Sequence, residues 1–572
     1  MKINNNKHLL TWRVLAAMCC LFAWAFSTGG GVPALADDPA TALVGIELPD
    51  EAALGDLASL GLNYYTRLYT QDGGLLLVAE ADPAQQETLI KQGYAVHVLD
   101  ANSDQAEYYL LYARPGVLDQ TAAQADILYV SGRQAILRAT PQQAGRLAAS
   151  RMRLLPLHLR ALGAPVVQPQ AVLAAPAAIS PYPLIDTMID QVNTATLYQY
   201  VGDLSGEWAT TIEGSLFTLT TRWSYASTYV AKATTYAYEH FQALGLPVSY
   251  HNYSMWGTPL RNVIAEQTGV NHPENIVLIT AHIDSTSYGT PSTIAPGADD
   301  NASGTAGVMM AADILSQYDF DCTLRYALFT GEEQGLYGSE AYAAYIKSQG
   351  AQVAGVLNLD MIAYNSTAHP APVMEMHTRL NNSGDLAIAN TFVDVISAYG
   401  LGLTPNIYQD GVTYSDHSSF WGEGYPAIIA IEDDGDFNPY YHSPNDKLSA
   451  IDMNYFTEFV KASLATFAHM GCLMEGTLSG VVRDASTNAP LAGTVVQATL
   501  GDHQSWQAVS GADGSYSMTL QPGTLQVYAT AAQHIPALQT GITVQYAQTR
   551  QLDLFLQQGY VYVLPLVSNE AP

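Results

Sequence analysis

Five side chains able to hold a metal ion occur in order between positions 282 and 442: His282, Asp300, Glu333, Asp360 and His442. A sixth acid, Glu332, stands directly beside the third. Two imidazoles and three carboxylates are too few to close two structural metal cages. They suit two adjacent zinc ions that share one bridging carboxylate and keep a position open for water. An open position means catalysis, and the chemistry expected of it is hydrolysis.

Each candidate falls where a predicted strand ends, or in the loop that follows, which is where open α/β sheets hold their sites. His282 closes NIVLITAH, and Asp284, two residues on in extended chain, projects to the same face. Its carboxylate could fix the imidazole tautomer through the second ring nitrogen; a solvated turn is the plain alternative. PGADDNASG sets Asp299 and Asp300 at a tight, small-residue turn before a helix. Capping that helix suits one of the pair and bridging two metals suits the other. In LFTGEEQG two glutamates follow an apolar run and project differently, so one can bind metal while its neighbour faces the attacking water. NLDMIAY buries Asp360 in apolar sequence, where a carboxylate needs strong compensation. His442 stands in the loop FNPYYHSPNDKL.

The elements that must position these residues alternate between strand and helix over 184–473. NIVLITAHID, TLRYALFTGEE, VAGVLNLDMIAY and PAIIAIED read as strands. TAGVMMAADILSQ, SEAYAAYIKSQ, GDLAIANTFVDVISAYG and NYFTEFVKASLATFAHM read as helices. The fold class is α/β, a mostly parallel sheet flanked by helices. Residues 37–163 read as an α+β prodomain in the order β-α-β-β-α-β, with a turn at Gln71-Asp72-Gly73-Gly74 and a partial second copy after it. A Pro- and Ala-rich linker covers 164–183. Short alternating strands over 475–556 read as a β-sandwich, and a short apolar tail covers 557–572.

Residues 1–36 have the form of an export signal: Lys2, Lys7 and Arg13, an apolar run from Val14 to Phe26, and Ala34-Leu35-Ala36 before Asp37. That run is short for a membrane span, and no later stretch spans one. The product is expected outside the cytoplasm. Cleavage would leave Cys322 and Cys472, as one disulfide or as two buried thiols. With 52 acidic against 22 basic residues, a net charge of −30, nucleic-acid binding is excluded as an expectation.

Taken together, the blocks AHIDS, PGADDNASG, GEEQG, NLDM and YYHSPND resemble the M28 family of zinc aminopeptidases over roughly residues 190–470. The stretch after 475, with G-x-V-x-D and D-G-x-Y, resembles carboxypeptidase regulatory-like domains. The M28 resemblance implies a secreted exopeptidase made as a proenzyme, with two zinc ions per chain and peptide N-termini as substrate. It implies His282 and Asp360 on one zinc, Glu333 and His442 on the other, and Asp300 rather than Asp299 between them. It also implies a cis Asp300–Asn301 peptide, Asp284 behind His282, Glu332 as general base and Tyr441 as an oxyanion donor. By position beside these blocks, Met361, Val412, Tyr414, Phe420, Trp421 and Ile431 are candidates for an apolar substrate pocket suited to Leu, Phe or Met. Ile429 reads as core, and Asp416 and His417 as either substrate-side groups or ordinary loop ties. Carboxypeptidase-like or glutaminyl-cyclase-like chemistry on the same scaffold, and an inactive exported binding protein, are the alternatives.

Overall fold

The computed structural model describes residues 41–70, 74–103, 106–112, 125–148, 153–162, 181–368, 371–501 and 504–559. The expected leader 1–36, the turn at 71–73, and most of the expected linker 164–183 and tail 557–572 lie outside the described residues.

An eight-stranded sheet carries the chemistry-bearing region. Its strands lie in the order Val248–Met255, Thr258–Gln267, Cys322–Phe329, His272–His282, Gln352–Leu359, Ala427–Glu432, Val373–His377 and Thr404–Tyr408. The centre is parallel: His272–His282 pairs with Cys322–Phe329 and Gln352–Leu359, and the latter with Ala427–Glu432. Antiparallel pairings bring in the outer strands on both sides, so the sheet is mixed. Strands covered on both faces need apolar residues at every position rather than at alternate ones. AIIAIE is accordingly buried throughout.

Helices Gly304–Leu315 and Met453–Met470 share one core with one face of the sheet. The apolar side of Tyr337–Ser348, with Phe420 and Trp421, packs on the other face. Asp452 starts the closing helix by accepting hydrogen bonds from the Asn454 and Tyr455 amides. A disulfide joins Cys322, the first residue of a central strand, to Cys472 just beyond that helix. No helix among the described residues is long and apolar enough to cross a membrane.

The described residues between 41 and 162 form two small antiparallel sheets. The first runs Ala95–Asp100, Ala42–Leu48, Leu75–Ala81, Asn63–Tyr69, with Arg160–Ala161 added at the edge. The second runs Asp126–Ser131, Gln134–Arg138, Tyr108–Tyr112, Arg153–Pro156. Counted in chain order within each unit, both follow the sequence 4-1-3-2, one read in reverse. The two sheets meet through Leu43, Tyr65, Leu68, Leu76 and Val78 against Tyr108, Leu110, Ile136, Leu155 and Leu157. The edge strand Arg153–Pro156, from RMRLLPLHLR, is not foreshadowed by alternation in the sequence. Beyond Gly476 two further sheets enclose an apolar core of their own, including Leu478, Val496, Tyr516, Val527 and Leu554.

Candidate active site

Neighbouring parallel strands end side by side, and their ends deliver the chemistry. His282 is the last residue of its strand, Asp360 follows Leu359 directly, and Glu332 and Glu333 lie just past Phe329. Loops bring in the others. At Gly297 (φ 50°) an added Cβ would lie 2.2 Å from the Asp300 carbonyl, so only glycine lets the chain turn this tightly toward Asp300. The Asp300–Asn301 peptide is cis. Met361 and His442 both hold left-handed backbone conformations, φ 52° and 51°, which residues with side chains seldom adopt.

These elements bring the five sequence candidates together. Asp300 stands in the middle: its Oδ1 lies 3.3 Å from His282 Nε2 and its Oδ2 3.1 Å from His442 Nε2. On one side Asp360 Oδ1 is 3.3 Å from His282 Nε2; on the other Glu333 Oε2 is 2.9 Å from His442 Nε2. The donor atoms thus form two triads, His282–Asp300–Asp360 and Asp300–Glu333–His442. Glu332 lines the same cleft, with Oε2 3.9 Å from His282 Nε2.

A buried frame holds the triads. The Ser415 hydroxyl donates to Asp360 Oδ2 at 2.6 Å, and the Tyr288 hydroxyl lies 2.6 Å from His442 Nδ1. His282 Nδ1 is closer to the Asp284 backbone carbonyl, 3.2 Å, than to its carboxylate, 3.7 Å. That carboxylate instead accepts from Ser224 and from the Glu332 amide, tying the GEE turn to the His282 strand. Asp299 caps no helix: it accepts from the Ala363 amide and from Asn438 Nδ2. Asp446 accepts the amides of Asp299 and Asp300. Beneath lies Arg222, fully buried and bonded to the carbonyls of Leu204, Ile283, Pro296 and Gly297. Burial lowers it to about 10, while Asp284 and Asp446 support its charge. Tyr288, Ser415, Asp446 and Arg222 carry no sequence signal of their own, because their roles depend on partners far away along the chain.

Electrostatically the cleft is strained toward protonation. Burial raises Glu332 well above the usual carboxylate range, with His282 opposing and Asp360 and Glu333 adding to it. Burial and then Asp300 push Glu333 up to about 7. Burial acts to raise Asp300 too, but His282 and His442 on either side hold it well below the ordinary value. Burial works against charge on both imidazoles, yet the surrounding acids lift them well above the ordinary histidine value. Glu333 Oε1 is buried with no hydrogen-bond partner. A buried carboxylate oxygen without a donor is costly, and a cation would satisfy it. The donor set therefore fits two metal ions with Asp300 shared.

Met361, Tyr414 and Ile431 line the cleft beside Tyr441, which stacks on the His442 ring at 3.7 Å. Val412 and Ile429 sit in the same apolar cluster with Phe437. Phe420 and Trp421 do not belong to this pocket. The short helix His417–Gly422 seats them in a separate apolar cluster, with Phe329 and Tyr342, and Trp421 Nε1 donates to the Ala427 carbonyl. His417 is a loop tie, its Nε2 2.9 Å from the Val412 carbonyl. Asp416 is buried and pushed up to about 7 by that burial, His282 opposing. The cleft-lining residues missed by sequence reasoning come from the N-terminal module: Arg153, Leu154 and Leu155 line the cleft with the metal-ligand candidates, leaving a cavity of about 30 Å³.

Residues 262–467 match the family model described as Peptidase family M28, and residues 477–557 the model described as Carboxypeptidase regulatory-like domain. The chain carries an M28 peptidase domain. Leucine aminopeptidase 1 of Ajellomyces capsulatus (strain NAm1 / WU24) is 30% identical over 196 residues, 33% of this chain and 51% of that protein. A probable leucine aminopeptidase of Arthroderma otae is 33% identical over 198 residues, 33% of this chain and 52% of the other. The chain spans about half the length of these relatives. Among solved structures, the Legionella pneumophila LapA aminopeptidase is similar at 18% identity and TM-score 0.48, covering 64% of this chain and 98% of that one. All five ligand candidates fall inside the matched M28 segment.

Proposed function

We propose that this protein is a secreted zinc aminopeptidase, made as a precursor, that removes N-terminal residues from peptides. One observation carries the reading: the two oxygens of Asp300 face His282 on one side and His442 on the other. His282 and Asp360 would hold one ion, Glu333 and His442 the second, and Asp300 both. Bound there, a zinc pair supplies an acidified water and an electrophile for the scissile carbonyl.

Glu332 takes the proton of the attacking water and returns it to the leaving amine. Tyr441, stacked on His442 at the cleft, donates to the developing oxyanion. The concentration of carboxylates favours a substrate's free ammonium end, which supports exopeptidase action. The names of the fungal relatives support it as well. The walls Met361, Tyr414 and Ile431 support a large first side chain, and taken alone they favour Leu, Phe or Met. The leader-like start of the sequence and the Cys322–Cys472 disulfide support export. A cleft reduced to about 30 Å³, room for little more than a water, supports synthesis as a blocked precursor.

The test is metal quantification together with hydrolysis of free and N-terminally blocked peptides, before and after chelation. Two zinc ions per chain, cleavage of the free peptides only, and loss on chelation are expected. Cleavage of C-terminal residues, cyclisation of N-terminal glutamine, or no metal at all would each reject the reading.

A further inference from the structure

We propose that the specificity pocket beside the metal centre selects a cationic first side chain, arginine or lysine, and that Arg153 of this same chain is its built-in occupant. The inference rests on the aminopeptidase reading above. Arg153 is only 5% exposed, and Nε, Nη1 and Nη2 all lack a hydrogen-bond partner. A buried guanidinium without donors satisfied must be held by other means. Its central carbon lies 4.6 Å from the Phe437 ring centre, 4.9 Å from Tyr414 and 6.0 Å from Tyr112. Nη2 lies 3.8 Å from the buried carboxylate of Asp434. Ring faces with one acid at the side recognise a guanidinium or an ammonium, not an aliphatic group.

Ownership of these groups decides what a substrate would meet. Tyr414, Phe437 and Asp434 belong to the M28 domain; Tyr112, Arg153 and Arg133, which also pairs with Asp434, belong to the N-terminal module. Displacing the module withdraws two arginines from one buried acid. Glu375 holds that acid's backbone from behind, its Oε1 accepting the Asp434 amide at 3.2 Å and its Oε2 facing His377 Nε2 at 3.3 Å. A leucine side chain would leave that acid facing hydrocarbon, whereas an arginine or lysine restores what Arg153 supplies. Arg153 lies in mid-chain, so it fills the side-chain pocket without presenting a free amino terminus.

The experiment uses the full chain, metal-loaded, carrying Arg133→Ala with Arg153→Ala, with argininamide, lysinamide and leucinamide as probes. Thermal shift and calorimetry measure binding, and the three matching nitroanilides measure turnover. Argininamide and lysinamide are expected to bind at least tenfold more tightly than leucinamide. Adding Asp434→Asn should erase that preference. Tightest binding by leucinamide, or an argininamide affinity unmoved by Asp434→Asn, overturns the proposal. If that double variant fails to unfold cooperatively, the native chain nicked within the linker is titrated with the same amides under the same criteria. Binding in the proposed order without hydrolysis of any nitroanilide would sustain the pocket assignment and sink the aminopeptidase reading; leucine-selective hydrolysis would do the reverse.

Discussion

The N-terminal module and the C-terminal sandwich flank one M28 domain and touch it in different ways. The module uses charged and aromatic side chains. Arg67 donates to the Gly422 carbonyl at 2.9 Å, Tyr69 meets Trp421 edge-on, Gln134 donates to the Gly411 carbonyl, and His158 stacks on Tyr337 at 3.8 Å beside the Arg160–Glu340 pair. It then sends Arg153 into the cleft. The sandwich follows the closing helix, lays strand Ser515–Leu520 near helix Pro183–Asp190, and among the described residues contributes none to the cleft lining. An interface of ion pairs and ring contacts is specific, but water replaces its contacts readily once it opens. The contrast supports the proposed blocking role for the module and offers nothing of the kind for the sandwich.

The largest effect expected is at the cleft both flanks are measured against. Glu332→Gln should retain metal and lower turnover by about 10²–10⁴-fold, the range for a lost general base; unchanged turnover on nitroanilides would reject the assignment. Next, nicking the chain within 164–183 should raise turnover about tenfold or more. Equal activity before and after would erase the difference between the flanks. Truncation after residue 475 should change turnover on small substrates by less than about twofold, and a tenfold loss would show the sandwich to be part of the catalytic apparatus.

Two stability measurements sharpen the picture further. Cys322–Cys472 closes a sequence separation of 150, worth at most about 5 kcal/mol in the chain-entropy account. Replacing both cysteines by serine should lower Tm by ~5–15 °C, and a shift under ~2 °C would make the bond dispensable. In chelated protein, Glu332 and Glu333 are acids whose folded values exceed the ordinary 4.5, so folding takes up protons between 4.5 and about 7. Their effect makes stability fall as pH rises through that window, and the raised histidines, whose stabilisation is lost above their folded values, act in the same direction. Asp300, held low, is already ionised there. Chelated protein should melt several degrees lower at pH 8 than at pH 5, with metal-loaded protein showing less of this slope.

Much of the site was legible because each ligand candidate lies in a short motif at a strand end, and strand ends of a parallel sheet converge whatever the loops do. His282 and Asp360 follow from that rule, and it places a ligand at Glu332 or Glu333 without choosing; the resemblance chose Glu333. Asp300 and His442 needed the family resemblance, since spacing alone left Asp299 and Asp300 equivalent. The pocket was only half legible: Met361, Tyr414 and Ile431 line the cleft, but a short helix packs Phe420 and Trp421 into a different apolar cluster. The framing strands Val373–His377 and Thr404–Tyr408 carried too little alternation to be seen. Arg153 was invisible in principle, because its place depends on two modules docking rather than on any local pattern.

The bond between Cys322 and Cys472 has a mechanical consequence. The sandwich begins at Gly476, immediately past Cys472, while Cys322 opens a strand in the interior of the eight-stranded sheet. Were the sandwich anchored to a solid polymer or a cell wall, a tug on it would pass through sulfur into the sheet and bypass the helix Met453–Met470. The enzyme could be tethered under flow without its last helix being peeled away.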